Sequence, residues 1–208
     1  MLNTGFYARR VLPWIIDLSM RSGNLAAYRQ VTISAARGTV IEIGIGSGLN
    51  LPLYGSSATH LYGIDPSPQF LLMVKKRLKH ASLPVELVRA SAEELPIGSH
   101  CADTVVITWT LCSIRDPIKA LREMRRVLKP GGRLLFVEHG LAPERKVQGW
   151  QNRLGPCWQR ISGGCHLNRK MDDLIAAGGF SIDEIHTGYL KGPKFLAFIY
   201  QGSAVPRA

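Results

Sequence analysis

Acidic residues are scarce in this chain. Fifteen Asp+Glu face 26 Lys+Arg, a formal charge of +11. So basic a surface attracts anions: nucleic acid, the face of an anionic membrane or an acidic substrate, unless the charge serves solubility alone. Cysteine is sparse too. Cys101, Cys112, Cys157 and Cys165 contain no C-x-x-C pair, and their spacing matches neither a disulfide framework nor a zinc site. Reduced intracellular thiols and no metal are therefore expected. No apolar run approaches the roughly 20 residues that cross a bilayer. Near the N-terminus, Arg9-Arg10 precede VLPWII, but Asp17 cuts that run short and no small-x-small cleavage site follows promptly. These absences predict a cytosolic protein that touches a membrane, if at all, from outside. There are no internal repeats or low-complexity tracts, and 208 residues suit one domain with a real core.

What is present is an alternation of strand-length apolar runs with helix-period segments, the pattern of a parallel α/β sheet. Strands are predicted at TVIEI (39–43), HLYGI (60–64), VELVR (85–89), TVVIT (104–108) and RLLFVE (133–138). SIDEIH (181–186) and FLAFIY (195–200) follow, joined by the turn-rich TGYLKGPK without a helix, so the sheet is expected to end in one antiparallel strand. Helical spacing marks Pro66 to Lys79. Asp116-Pro117 caps another helix, with Ile118, Leu121, Met124 and Leu128 as its buried stripe and Pro130-Gly131-Gly132 as its end. A separate helical stretch precedes residue 38, and the tail GSAVPRA reads as loose.

Between the first strand and the first helix of the sheet stands VIEIGIGSGLN (40–50). Loops at this edge bind ligands in such sheets. Gly44, Gly46 and Gly48 let backbone approach a ligand closely and permit positive φ. A dinucleotide fingerprint needs its third glycine at position 49, where Leu49 stands. The pattern carries Glu42 inside the strand instead. An anionic pyrophosphate gains nothing from that carboxylate, whereas S-adenosylmethionine (SAM) has a sulfonium, an ammonium and no phosphate. The second strand ends in Asp65-Pro66-Ser67. A carboxylate there can accept both hydroxyls of a ribose, and it can also cap the helix opening at Pro66. Together the two corners favour SAM over a nicotinamide dinucleotide.

Four ordered motifs carry a resemblance: Glu42–Gly48, Asp65, Ala90-Ser91-Ala92-Glu93-Glu94-Leu95-Pro96, and LREMRRVLKPGG (121–132). Over about residues 38 to 140 the chain resembles the class I SAM-dependent methyltransferases, in particular the ubiquinone/menaquinone branch. With TLCSIRDP (110–117), FVEHG (136–140) and W…W…GCHLNR (150–169), it is also similar to the methyltransferase-like 7 group, the membrane-associated thiol methyltransferases of animals. The resemblance implies a Rossmann-like α/β sheet of seven strands, mostly parallel with the last antiparallel, over residues 38–208. An N-terminal helical cap over 1–37 would complete one structural unit. It implies that Glu42, Gly44, Ile45, Gly46, Ser47 and Gly48 line the methionine end of SAM. Asp65 would hold the ribose, with Pro66 and Ser67 flanking the adenosine. Many relatives place an aspartate where Ser91 stands, so the adenine would be read by Ser91, Ala92 and Glu93, the backbone N–H of Ala92 included. Thr108 and Trp109 would face the methyl.

On the acceptor side three residues are candidate catalysts. His139 follows the fifth strand, where a neutral imidazole can act as a base; a structural histidine is the alternative. His166, in GGCHLNR, is expected in a lid loop or a helix cap. Tyr7 would bond the methionine carboxylate or pack as an aromatic. Pro156-Cys157 falls after the wrong strand for a cytosine-5 nucleophile, and a helix break is its simpler role. No Asn/Asp-Pro-Pro-aromatic motif follows the fourth strand. Both points count against nucleic acid as substrate. Arg9, Arg10, Arg21, Arg29, Arg145, Lys146, Arg153, Arg160, Arg169 and Lys170 interleave with Phe6, Trp14, Ile15, Ile16, Leu18, Trp150, Leu154 and Trp158. Such helices either lie on an anionic membrane or pack as a cap with solvated arginines. The expected activity is methyl transfer to a small-molecule or lipid-like acceptor through thiol, amine or oxygen, phospholipids and quinones included. The rival from another class is a non-catalytic SAM-binding or RNA-associated protein.

Overall fold

A computed structural model describes residues 4–207, leaving aside the side chains of Thr4, Ala8 and Arg9. The basic side chain of Arg9 and the last residue of the tail therefore lie outside what is described. Helix α1 (Thr4–Phe6) runs through a π-helical turn (Tyr7–Val11) into α2 (Leu12–Met20), and α3 (Gly23–Ser34) leads to the sheet. The strands are β1 (Gly38–Ile43), β2 (Ala58–Ile64), β3 (Val85–Val88), β4 (Ala102–Thr108), β5 (Leu128–His139), β6 (Phe180–Tyr189) and β7 (Phe198–Pro206). Between them lie α4 (Pro68–Lys75), α5 (Pro117–Val127), α6 (Arg145–Ile161), α7 (Met171–Ala177) and α8 (Lys194–Ala197). The order across the sheet is β3-β2-β1-β4-β5-β7-β6, and β7 alone runs antiparallel to its neighbours. Strands β1 and β4 run parallel, but the order in which strands are added reverses between them, which opens a crevice at their carboxyl ends.

Alternation along the strands feeds two apolar layers. Ile41, Ile43, Val105, Ile107 and Phe136 face α5 and α7, where they meet Leu121, Met124 and Ile175. Val40, Leu61, Val106 and Leu135 face the other way, onto Ile33 of α3 and Val74 of α4. Strands buried on both faces explain why they read as continuous apolar runs.

Four boundaries differ from expectation. Helix α4 starts at Pro68, with Ser67 as its N-cap (Phe70 N–H to Oγ, 3.4 Å), so Asp65 does not cap it. Helix α5 ends at Val127, and Leu128-Lys129-Pro130-Gly131-Gly132 already belongs to β5, because Leu128 pairs with Ala102. Residues 195–197 are a helical turn, and the tail expected to be loose is the second half of β7: Gly202, Ser203 and Ala204 pair with both β5 and β6. Two partner strands order a segment whose small residues carry no strand signal of their own. Finally, α6 continues through Pro156 without a break. A proline removes only one helical hydrogen bond. On the turn before it, Gln151 is buried and clamps the helix to the β5 exit by donating to Gly140 O and accepting from Ala142 N–H.

Candidate functional site

The glycine loop turns at positive φ: Gly44 at 71°, Gly46 at 54° and Gly48 at 82°. A β-carbon on Gly44 would sit 2.3 Å from Thr110 Oγ1, so the loop seats against the β4 exit only without one. Gly48 faces away from the crevice, toward Val74 and Leu51, which corrects its expected place at the ligand. The crevice holds a cavity of about 420 Å³. Glu42, Gly44, Ile45, Gly46, Ser47, Asp65, Pro66, Ser67, Ser91, Ala92, Glu93, Thr108 and Trp109 line it, together with Ile16, Asp17 and Met20 of α2 and Arg29 of α3.

Asp65 is 5% exposed and spans the first two corners. Its carboxylate accepts from Gly46 N–H (3.0 Å) and Ser67 N–H (2.8 Å). Burial pushes its carboxyl up to about 6, against the pull of those two bonds. A carboxylate offers about four lone-pair sites, so two remain for hydroxyl donors in the cavity. Glu42 is spoken for: Asn50 Nδ2 donates to it at 2.8 Å and Tyr54 OH at 2.7 Å, and Asn50 also reaches Thr108 Oγ1. Burial raises the Glu42 carboxyl to about 7. Its work is to hold the strand end and the loop together, with its charge behind them. Ser91 Oγ accepts from Glu93 N–H, and Glu93 accepts from Asp116 N–H, so both side chains shape the rim before meeting any ligand.

Arg29 was expected among surface charges. It is 5% exposed, lines the cavity, and stacks 4.8 Å from the Trp109 ring centre. Among the described residues no carboxylate pairs with it, and burial lowers its guanidinium to about 10 against the field of Glu42. Trp109 itself adopts φ 47°, a left-handed conformation that a bulky residue pays for in strain. Glu138, fully buried beneath it, accepts from the N–H groups of Thr110, Leu111 and Cys112 and so builds that turn.

Asp17, which sequence reading used only as an interruption of an apolar run, ties α2 to the glycine loop. It accepts from Ser47 Oγ and pairs with Arg77 (2.8 Å) and Arg21 (2.5 Å). Burial works to raise its carboxyl, but hydrogen bonds from Arg77, Ser47 and Arg21 prevail and hold it at about 2. That contribution is complete above the ordinary value of 3.8 and is lost as pH falls through 2. Asp17→Asn is expected to remove about 2 kcal/mol of stability at neutral pH, by the ~1.4 kcal/mol each pKa unit represents. Calorimetric unfolding of the variant at pH 7 that matches the parent would contradict this assignment.

The three catalytic candidates lie elsewhere. His139 Nε2 is 2.9 Å from Cys165 Sγ, behind the β4 turn. His166 Nδ1 meets Gln159 Nε2 at 3.0 Å, and its backbone N–H donates to Cys112 O. Tyr7 OH donates to Ile161 O, fastening the N-terminal helices to the end of α6. None of the three lines the cavity. Each is engaged by a protein partner outside the crevice, which is the physical reason for the correction.

A SAM molecule suits the donor set that is present. Asp65 keeps acceptor capacity for ribose hydroxyls, Arg29 is a buried cation without a carboxylate partner among the described residues, and the glycine turns bring backbone to the cavity wall. Comparison with known proteins agrees. The chain matches the Methyltransferase domain family over residues 41–136. A thiol S-methyltransferase of Homo sapiens is 34% identical over 173 residues, which cover 79% of this chain and 70% of that protein. One from Rattus norvegicus is 36% identical over 149 residues, 69% of this chain and 60% of its own length. A ubiquinone/menaquinone biosynthesis C-methyltransferase of Syntrophotalea carbinolica is 33% identical and covered to 67%. The matched stretch thus spans 60–70% of these relatives' length. In fold, the crystal structure of a SAM-dependent methyltransferase from Thermotoga maritima superimposes with a TM-score of 0.65 at 22% identity, covering 98% of this chain and 99% of that one. Shared sequence over most of the chain, laid on this sheet order, means that it belongs to the class I SAM-dependent methyltransferases.

Proposed function

We propose that this protein moves the methyl group of SAM to a small, apolar thiol. The observation that carries the reading is what the cavity wall lacks. Its ionisable side chains among the described residues are Asp17, Arg29, Glu42, Asp65, Glu93 and Arg115. Both Glu42 oxygens are occupied, Asp17 is ion-paired, and Asp65 sits at the ribose corner. No histidine or tyrosine is poised to take a proton from an amine or alcohol. A thiol is far more acidic than an alcohol (about 8.5 for a cysteine side chain, higher for a simple alkyl thiol), so a fraction ionises in water without a protein base and arrives as the nucleophile. The named activity of the human and rat relatives supports the same choice.

The bound donor supplies an electrophilic methyl on a sulfonium, and its displacement needs no acid. The protein's task is alignment and exclusion of water, which can be worth several kcal/mol. In this reading Asp65 accepts from the ribose hydroxyls and Ala92 N–H meets the adenine. Arg29 pairs with the methionine carboxylate, and Trp109 with Ile114 forms the wall beside the methyl. Helix α2, through Ile16 and Met20, covers the cavity as part of an N-terminal cap. A labelled-methyl assay over a series of alkyl thiols tests the proposal. Label should appear on the thiol, and transfer to none of them removes it.

Asp65 also makes donor affinity depend on pH. Its carboxyl sits at about 6 in the free protein, and the ionised form accepts the ribose hydroxyls. Below pH 6 binding must expel that proton, so the SAM dissociation constant should rise by up to about tenfold per pH unit. Titration calorimetry between pH 5 and 8 checks this, and a flat profile contradicts it.

A second reading rests on the outer face of the N-terminal helices. Phe6 is 67% exposed, Trp14 57%, Ile15 49% and Leu18 72%, with Arg10 and Arg21 beside them. Apolar side chains flanked by cations fit an anionic membrane surface, from which a lipid-like acceptor would enter. No helix among the described residues is long and apolar enough to cross a membrane. Cosedimentation with anionic vesicles at low salt supports the contact, and its absence removes it.

A further inference from the structure

Three sequence stretches that the cofactor cavity does not use come together behind it. The turn after β4 contributes Cys112, the end of β5 contributes His139, and the loop between α6 and α7 contributes Cys165. One ligand atom of each, two thiols and an imidazole nitrogen, lie within 4.8 Å of one another. Cys112 is 2% exposed and Cys165 7%. We propose that these three side chains form a binding site for one divalent thiophilic metal ion of the zinc class.

The chemistry and charge agree. Two thiolates and one neutral imidazole are a soft donor set, and three protein ligands leave a fourth tetrahedral position to water. Ligand atoms 2.0–2.3 Å from one centre stand roughly 3.5–4 Å apart, so the cluster needs only a small adjustment. The 2.9 Å pair of His139 and Cys165 parts slightly, and the wider separations, all within 4.8 Å, draw in. Binding displaces the two thiol protons to solvent and leaves an electrically neutral complex, the form least costly to bury. The surroundings orient the donors. Trp158 Nε1–H donates to Cys165 Sγ at 3.1 Å, and His139 Nε2 already points at the same sulfur from 2.9 Å. The two charged neighbours are committed elsewhere. Glu138 accepts from the N–H groups of Thr110, Leu111 and Cys112, and Arg169 donates to Leu111 O at 2.6 Å. Both brace the turn that carries Cys112.

The consequence falls on the acceptor wall. Thr110, Ser113 and Ile114 on one side, and Ser162 and Gly163 on the other, line the cavity next to Cys112 and Cys165. A shared ion would clamp these two loops to β5 and fix the width of the space between them. It is a positioning device, since none of its ligands faces the cavity.

Cobalt(II) is the probe. Full-length protein, stripped of metal and kept anaerobic with reductant, should bind one equivalent with thiolate-to-cobalt charge-transfer absorption. Cys165→Ser should abolish that absorption. His139→Gln, which keeps both thiols but removes the imidazole ligand, should weaken binding at least about tenfold, since loss of a group that merely orients a ligand already costs that much. Cys157→Ser, at an exposed cysteine outside the cluster, should bind as the parent does. Circular dichroism verifies folding; if the serine variant is unfolded, the glutamine variant decides. Absence of the band in parent protein, its persistence unchanged in His139→Gln, or a Cys112–Cys165 disulfide surviving reductant overturns the proposal.

Discussion

In an Asp65→Ala variant the dissociation constant for SAM rises by roughly 10- to 150-fold, the equivalent of about 1.5–3 kcal/mol for hydrogen bonds to a charged group. Two effects add. The ribose loses its acceptor, and Gly46 N–H and Ser67 N–H lose theirs, so the glycine turn is no longer tied to the second corner. Asp65→Asn separates the two. Its amide oxygen can still serve one backbone donor, yet it lacks the charge and the second acceptor, so it should fall between parent and alanine. Both variants should keep the parent's unfolding temperature to within a few degrees, because burial already works against the Asp65 charge. Isothermal calorimetry measures the constants. An unchanged constant in Asp65→Ala would remove the residue from the donor site, and with it the anchoring corner of the proposed reaction.

Asp65 was legible because its signal is local: a strand, a carboxylate and a proline within a few residues. Strands β1, β4 and the second half of β5 were legible for a similar reason, since burial on both faces writes them as unbroken apolar runs. Arg29 was not. The helix that carries it, GNLAAYRQVTIS, is close to neutral in hydropathy and has almost no amphipathic bias, so nothing in its spacing distinguishes an arginine turned inward onto Trp109 from one in water. Asp17 was missed because its partners, Ser47 and Arg77, lie 30 and 60 residues away. The catalytic histidines failed in the opposite direction. His139 does stand at the functional edge of the sheet, but the side chain leaves β5 on the face away from the cavity, toward Cys165. Strand parity decides that, and the parity of β5 is obscured by its irregular start, where the pairing with β4 slips between Ala102 and Thr104. Cys112, His139 and Cys165 have no motif spacing because three separate elements supply them.

The second half of β7, which the sequence presents only as a loose tail, yields the largest expected effect on stability. Gly202 sits in β7 with hydrogen-bonded neighbours on both sides, Phe136 of β5 and Ile185 of β6. A β-carbon there would lie 2.0 Å from Glu184 O and 2.9 Å from Glu184 C, both backbone atoms. The close approach coincides with a bulge, where the β6–β7 register slips between Ile182 and Glu184. No rotamer change can relieve a collision between two main chains, so Gly202→Ala must force β6 away from β7 or flatten the bulge. Overpacking of this kind costs about 3 kcal/mol. At roughly 2–4 °C per kcal/mol for a chain of this size, the unfolding temperature should fall by about 6–12 °C. The loss reaches the site through β5, since His139 pairs with Ile199 and Gly140 N–H donates to Phe198 O. Gly188→Ala is the control. It lies in β6 with no atom within 4 Å of its added carbon, and should shift stability by less than about 0.5 kcal/mol. Equal unfolding temperatures for the two variants would mean that β7 does not run between β5 and β6, and that the sheet order described here is wrong at its final strand.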